Sequence, residues 1–338
     1  MNLMKMAWKV YKEQQLKKEK LSGFTFSFYN RQTVVFVLTS RCNFNCRHCL
    51  REDTQVKDLP FEIARAVVEE AKKYHFRHLS FTGGEPLLYP HFKELIELTV
   101  QKGYVFNFAT NGWLFSDFLP LFSKYHNRIT EIVFSVESHN RDKNDFMRKQ
   151  GCFDKLLDNF DACRRNKIPF SILTVISPLN YEEIIDIGQF ARRQKAKALI
   201  FATMLPCSRT HKNKLILDAK KRQELFVVLK DFSKIIKMPV FMTGSIRANS
   251  NIVMCNSVAM RDIAVDYEGN IIRCCDLAGH KEAEICSLKD KSFEEALKLW
   301  AEDSRRFISR RIEEYKGKSN IEDIDFNSCF YCMYKLGK

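Results

Sequence analysis

Apolar and polar positions along this chain fall into two textures. Short, nearly continuous apolar runs occur at TVVFVLT (33–39), HLSFTG (78–83), YVFNFAT (104–110), EIVFSV (131–136), FSILTVI (170–176) and ALIFATM (198–204). Strands that are apolar on both faces belong to buried parallel sheets, so each run predicts a strand of that kind. Between the runs, apolar residues recur at helical spacing: Phe61, Ala64, Val67 and Ala71 share one face, as do Phe153, Leu156, Leu157 and Phe160. Tyr181, Ile184 and Ile185 open another stripe, and Leu225, Val228, Leu229, Phe232 and Ile236 mark a sixth helix. Six strand–helix units in series predict an α/β fold with a parallel, right-handed sheet, either open or part of a barrel.

Near residue 240 the period changes. RDIAVDYEGNIIRCCD (261–276) alternates with period two around Glu268-Gly269-Asn270, the pattern of a β-hairpin. A helix from about Ser292 to Glu314 follows, then a tail ending in CFYCMYKLGK. These changes predict an N-terminal helical extension over 1–32, a barrel-like domain over 33–240 and a small cysteine-bearing domain over 241–338. In the extension, Met4, Ala7, Trp8 and Tyr11 share one helical face with lysines opposite. Such a face packs on its own domain more often than on a membrane or partner.

With 338 residues, the chain is long enough for one large domain plus a smaller one. No apolar run approaches the ~20 residues that span a bilayer, and the lysine-broken N-terminus lacks a signal peptide's apolar core. A cytoplasmic location is therefore expected. The formal charge of +14 raises the question of nucleic acid, but the basic residues are dispersed and form no aromatic-studded block, so none is expected. An acidic electron carrier would suit that charge through steering. Twelve cysteines in a reducing compartment point to metal binding rather than disulfides.

Three of the twelve, Cys42, Cys46 and Cys49, crowd into TSRCNFNCRHCL (39–50), directly after the first strand. In parallel α/β folds, ligand sites collect at that end of the strands. Three thiolates can hold three irons of a four-iron cluster and leave the fourth open to a non-protein ligand. The second strand ends in TGGEP (82–86) on the same rim. Gly83 and Gly84 let backbone approach a bound molecule closely, and Glu85 suits an ammonium group. A glycine pair alone is common in turns; its position opposite the cysteine loop gives it weight.

Together these motifs resemble the radical S-adenosylmethionine (radical SAM) superfamily, with Cys-x3-Cys-x2-Cys after the first strand and Gly-Gly-Glu-Pro after the second. The resemblance covers roughly residues 33–236 and implies a partial (β/α)6 TIM-like barrel. It also implies a 4Fe-4S cluster on Cys42, Cys46 and Cys49, with S-adenosylmethionine chelating the open iron and cleaved by one electron to a 5′-deoxyadenosyl radical. His48 occupies the family's aromatic position near the adenine, and Asn111 of ATNG ends the third strand. SVESHNRDKNDFMRKQG (135–151) resembles the family's Ser-x-Asp and Arg-x-Gly-x-Phe stretch, which offers Ser135 and Glu137 for ribose or carboxylate contacts and Arg148 for the cofactor carboxylate. Glutamate replaces the usual aspartate, and an extra residue separates Arg148 from Gly151. Read without the resemblance, Arg148 is an exposed helix cation and Asn111 a turn residue.

In the small domain, thirteen residues separate Cys255 from Gly269 and four more precede Cys274, with Cys329 and Cys332 far downstream. This resembles the family's twitch appendage, the short form of the SPASM domain. It implies an auxiliary 4Fe-4S cluster on those four cysteines, for electron transfer or substrate binding. A zinc site with four cysteines is the alternative, and Cys275 competes with Cys274. The six residues after Cys332 leave no place for a second auxiliary cluster. Cys152 and Cys163 read as apolar fillers, Cys286 is unassigned, and Cys207 falls toward the active-site rim. The resemblance implies hydrogen-atom abstraction from a peptide or a small molecule, with flavodoxin or ferredoxin as electron donor. The short segment before the first strand weighs against a leader-binding domain. A non-enzymatic iron–sulfur carrier is a third possibility that the TGGEP turn disfavours.

Overall fold

The structure, a computed structural model, describes residues 32–51, 55–246, 255–318 and 327–336. The expected N-terminal helix with Met4, Trp8 and Tyr11 lies outside the described residues.

Each predicted apolar run forms a strand: β1 (Gln32–Val37), β2 (Phe76–Thr82), β3 (Val105–Thr110), β4 (Ile129–Ser135), β5 (Phe170–Ile176) and β6 (Leu199–Thr203). They pair in parallel and in sequence order, and β7 (Val240–Met242) adds a further parallel strand beside β6. Beyond β1 lie β8 (Asp262–Val265), β9 (Asn270–Ile272) and β10 (Glu284–Ser287). β8 runs parallel to β1, with Thr33 opposite Asp262, while β9 and β10 return antiparallel. The result is one open ten-stranded sheet, mostly parallel, in the manner of a partial barrel. Position 241 falls inside β7, and main-chain hydrogen bonds join the C-terminal hairpin to the first strand.

Helices cover the sheet: α1 (Phe61–Glu70), α2 (Phe92–Gln101), α3 (Leu119–Lys124), α4 (Arg141–Met147), α5 (Cys152–Arg165) and α6 (Ile184–Arg193). After β6 come α7 (Ser208–Lys212), α8 (Ala219–Lys230) and α9 (Phe232–Ile236), and after β10 come α10 (Phe293–Lys316) and α11 (Ser328–Leu336). The core between sheet and helices is rich in phenylalanine: Phe81, Phe106, Phe108 and Phe134 from strands meet Phe92, Phe115, Phe122 and Phe160. Phe160 stacks on Phe170 with ring centres 4.9 Å apart. Asn140 and Asp218 cap α4 and α8 through their side chains, and Ser292 with Glu295 forms a capping box on α10.

One helical expectation changes. The stripe from Leu225 to Ile236 is broken at Asp231, whose backbone leaves the helical region. Phe232 and Ile236 thus begin a new phase and pack against Gly188 of α6, where a side chain would collide with Phe232. Val228 is left 47% exposed on the outer face of α8.

Candidate active site

Because β1 to β6 are parallel, the loops that follow them gather at one rim. Residues 39–50 leave β1 there. Thr39 Oγ1 donates to Asp58 Oδ1 at 2.6 Å, Ser40 N donates to Lys57 O, and Arg41 grips the Asp58 carboxylate, so the loop is anchored at its root. The turn after β2 packs directly on that root: Gly84 N donates to Thr39 O and Glu85 N to Arg41 O, both at 2.7 Å. A Cβ on Gly84 would lie 2.1 Å from Arg41 O, so this contact requires glycine.

Cys42, Cys46 and Cys49 line a cavity of about 460 Å³ together with His48, Gly83, Gly84, Asn111, Ser135, Glu137 and Arg148. Glu137 and Arg148 are buried, and Arg148 Nη1 donates to Glu137 Oε1 at 2.7 Å. His48 Nε2 lies 3.2 Å from the same oxygen, and Val175 N donates to Oε2 at 2.9 Å. Burial works against ionisation of Glu137, but His48 and Arg148 outweigh it and bring the carboxyl down to about 2. Among the described residues His48 Nδ1 and Arg148 Nε are buried with no hydrogen-bond partner. A polar ligand in the cavity would complete them. Burial of Arg148 excludes its reading as an exposed helix cation.

Asn111 follows β3 directly, donates through Nδ2 to Asn43 Oδ1 at 2.8 Å and accepts from Trp113 N, so it joins the turn to the cysteine loop. Glu85 is fully buried. Its carboxylate accepts from Thr110 Oγ1 and Asn111 N, each at 2.8 Å, behind the glycine turn. Burial pushes this carboxyl up to about 7, and the hydrogen bonds moderate the rise.

The second set of cysteines adjoins the same space: Cys255, Cys274, Cys275 and Cys329 also line the cavity. β9 carries the chain back along β8, so residues around Arg273 meet those around Ser257, whose hydroxyl donates to Arg273 O. This brings Cys274 to the segment that carries Cys255. Gly244 lies against Cys255 and Cys329, with Cys329 Sγ 3.1 Å from the point a Cβ would occupy. Cys329 and Cys332 sit one turn apart on α11, in an apolar cluster shared with Cys274. Burial raises the Cys42 thiol to about 11 and Cys332 to about 12, and raises Cys46, Cys255 and Cys329 as well. A hydrogen bond with Cys275, then burial, raises Cys274 well above the usual thiol range. Metal loading at either set must therefore expel protons.

Three residues that the motifs do not include also belong to the site: Arg51, Asp276 and Arg209. Arg51 Nε donates to Gly83 O at 2.8 Å and Nη2 to Cys275 O at 3.3 Å. Asp276 also lines the cavity; burial raises its carboxyl, and Arg51 acts against the rise. Arg209 Nη1, on α7, donates to Asn45 Oδ1 at 2.8 Å and Cys46 O at 3.1 Å. Adjacency to the cysteine motifs is the signal that could have flagged Arg51 and Asp276. Cys207 does approach the rim, its Sγ 3.8 Å from Cys49 O, while Cys152 and Cys163 are buried.

Residues 36–191 match the Radical SAM superfamily. This stretch, just under half of the chain, is similar to a radical SAM domain. Among curated relatives, the AdoMet-dependent heme synthase of Methanosarcina barkeri is 27% identical over 181 residues, 52% of this chain and 51% of that protein. The GTP 3',8-cyclase of Syntrophomonas wolfei is 31% identical over 166 residues, 46% of this chain and 50% of the cyclase. The chain thus spans about half the length of these two relatives. Among solved structures, Streptococcus suis SuiB bound to S-adenosylmethionine superposes with a TM-score of 0.67 at 18% identity, over 86% of this chain and 68% of SuiB. Native anSMEcpe with bound AdoMet and Cp18Cys peptide gives 0.66 at 19% identity, over 89% of this chain and 88% of that one. At these identities the likeness is one of fold. Among the described residues no helix is long and apolar enough to cross a membrane.

Proposed function

We propose that this protein is a radical SAM enzyme with an auxiliary cluster, acting on a peptide. Cys42, Cys46 and Cys49 would hold a 4Fe-4S cluster, and Cys255, Cys274, Cys329 and Cys332 a second one. When bound, the first cluster and S-adenosylmethionine together supply a 5′-deoxyadenosyl radical. The chain's own groups hold the cofactor: the Gly83-Gly84 backbone offers close approach, and Ser135, Asn111 and the unpartnered His48 Nδ1 and Arg148 Nε offer polar contacts. Glu85 braces the turn from behind, and Glu137 keeps His48 and Arg148 in place.

The observation that carries this reading is a single cavity lined by thiols of both sets and by two buried side-chain nitrogens that have no partner among the described residues. Substrate between the sets would face the radical source on one side and an electron acceptor on the other. A zinc site on the same four cysteines is the alternative for the second set. A small-molecule substrate is the second reading, favoured by the match to a GTP 3',8-cyclase. Flavodoxin or ferredoxin would supply the electron, and the +14 charge suits such acidic carriers.

Anaerobic reconstitution with dithionite and S-adenosylmethionine tests the proposal, with 5′-deoxyadenosine as the expected product. Replacing Cys42, Cys46 and Cys49 by alanine should abolish that product and remove about four irons per chain. Unchanged iron in the triple variant would refute the assignment.

A further inference from the structure

Arg51 stands two positions after Cys49 and reaches two segments that are remote in sequence. The Nε–Nη2 edge of its guanidinium spans Gly83 O, in the turn after β2, and Cys275 O, in the segment after β9. These donors are held in one rigid plane. A movement of either carbonyl relative to the other must break a bond or carry the second carbonyl along. Among the described residues the third nitrogen, Nη1, is buried without a hydrogen-bond partner, and Asp276 provides a nearby opposite charge. Neither anchor is loose. Gly83 is followed by two main-chain bonds to residues 39 and 41, and Cys275 opens a short turn in which Leu277 N donates to Cys274 O at 3.0 Å.

We infer that Arg51 is a positioning residue that couples the two cysteine sites, so that the state of the auxiliary site is felt at the cofactor-binding turn. The inference rests on reading both cysteine sets as cluster sites. Loading the second set fixes residues 274–276 and, through Arg51, the orientation of Gly83 O. Coupling between binding events is reciprocal, so S-adenosylmethionine at the turn must also perturb the auxiliary cluster. Such couplings typically amount to roughly 5- to 150-fold in affinity.

The test uses the full chain, reconstituted with both clusters, as the natural protein and as R51Q and R51K. Two quantities are read without turnover: the dissociation constant of S-adenosylmethionine, and the auxiliary cluster's midpoint potential with and without it. In the natural chain the cofactor should shift that potential. R51Q should load the same iron, bind the cofactor about tenfold more weakly and lose the shift. R51K keeps the charge but has no planar edge to span both carbonyls, so it should behave like R51Q. A shift that persists in R51Q, or full restoration by lysine, overturns the coupling. A natural chain that takes up no second cluster defeats the reading of the sites, and this inference with it.

Discussion

Burying an ionisable side chain sets a cost that varies with pH, and Glu85 carries such a cost. Between its ordinary 4.5 and about 7, the folded chain holds a proton that the unfolded chain has released. Stability of the cofactor-free protein therefore falls as pH rises through that window. The rise corresponds to roughly 3 kcal/mol. Glutamine has no charge to bury. Relative to the natural chain, E85Q should gain up to roughly 3 kcal/mol, a few degrees in thermal midpoint, between pH 5 and pH 8. Losing an acceptor for Asn111 N adds an offset common to both pH values. Thermal melts at the two pH values read the difference, and a gap that does not move with pH would show that Glu85 is not titrating there. Glu137 behaves oppositely: its contribution is present above 4.5 and is lost as pH falls toward 2. The cysteine loop and TGGEP are legible in sequence because their chemistry needs fixed residue types at short spacing. The Arg51 contact is not, because its two acceptors lie 32 and 224 positions away.

At the scale of elements, strands β1 to β6 can be read directly from their apolar runs, although along β2, β3 and β6 buried positions alternate with more accessible ones. The break at Asp231 and the short β7 escape such a reading, because helical phase and edge pairing depend on neighbours remote in sequence. So does the part played by α7. It lies across the cysteine loop: Arg209 holds Asn45 Oδ1 and Cys46 O, and Asn213 Nδ2 donates to Arg47 O at 2.7 Å. Hydrogen bonds from a cation are worth about 1.5–3 kcal/mol, and groups behind metal ligands often change metal affinity 10- to 100-fold. R209A should therefore keep the fold but release iron from the first cluster to a chelator about tenfold faster. Equal release rates would mean that α7 does not brace the loop.

For the whole molecule, the question is how independent the two ends of the cavity are. The hairpin β8–β9 is built onto β1 by main-chain pairing, whereas α11 joins no sheet and is held by side chains. Phe330, Tyr331 and Met333 pack with Leu205, Leu277 and Ala283. Tyr331 OH donates to Glu314 Oε2 at 2.6 Å, and Asn327 Nδ2 donates to Ser245 O at 2.5 Å. Truncation after Phe326 removes this packing, at about 1.5–3 kcal/mol for each large apolar side chain, together with Cys329 and Cys332. A cluster on the second set would also cross-link more than fifty residues of chain, so its loss frees a long loop. The truncated chain should hold about four fewer irons and be cut faster by protease in the segment from 255 to 318. The first cysteine set lies on a loop of β1, a strand that retains every pairing partner, so a cluster there should load normally and still yield 5′-deoxyadenosine. Iron analysis, limited proteolysis and product assay on the same sample decide the matter. Full iron with unchanged protease resistance would show that the tail cysteines do not belong to the site at Cys255 and Cys274.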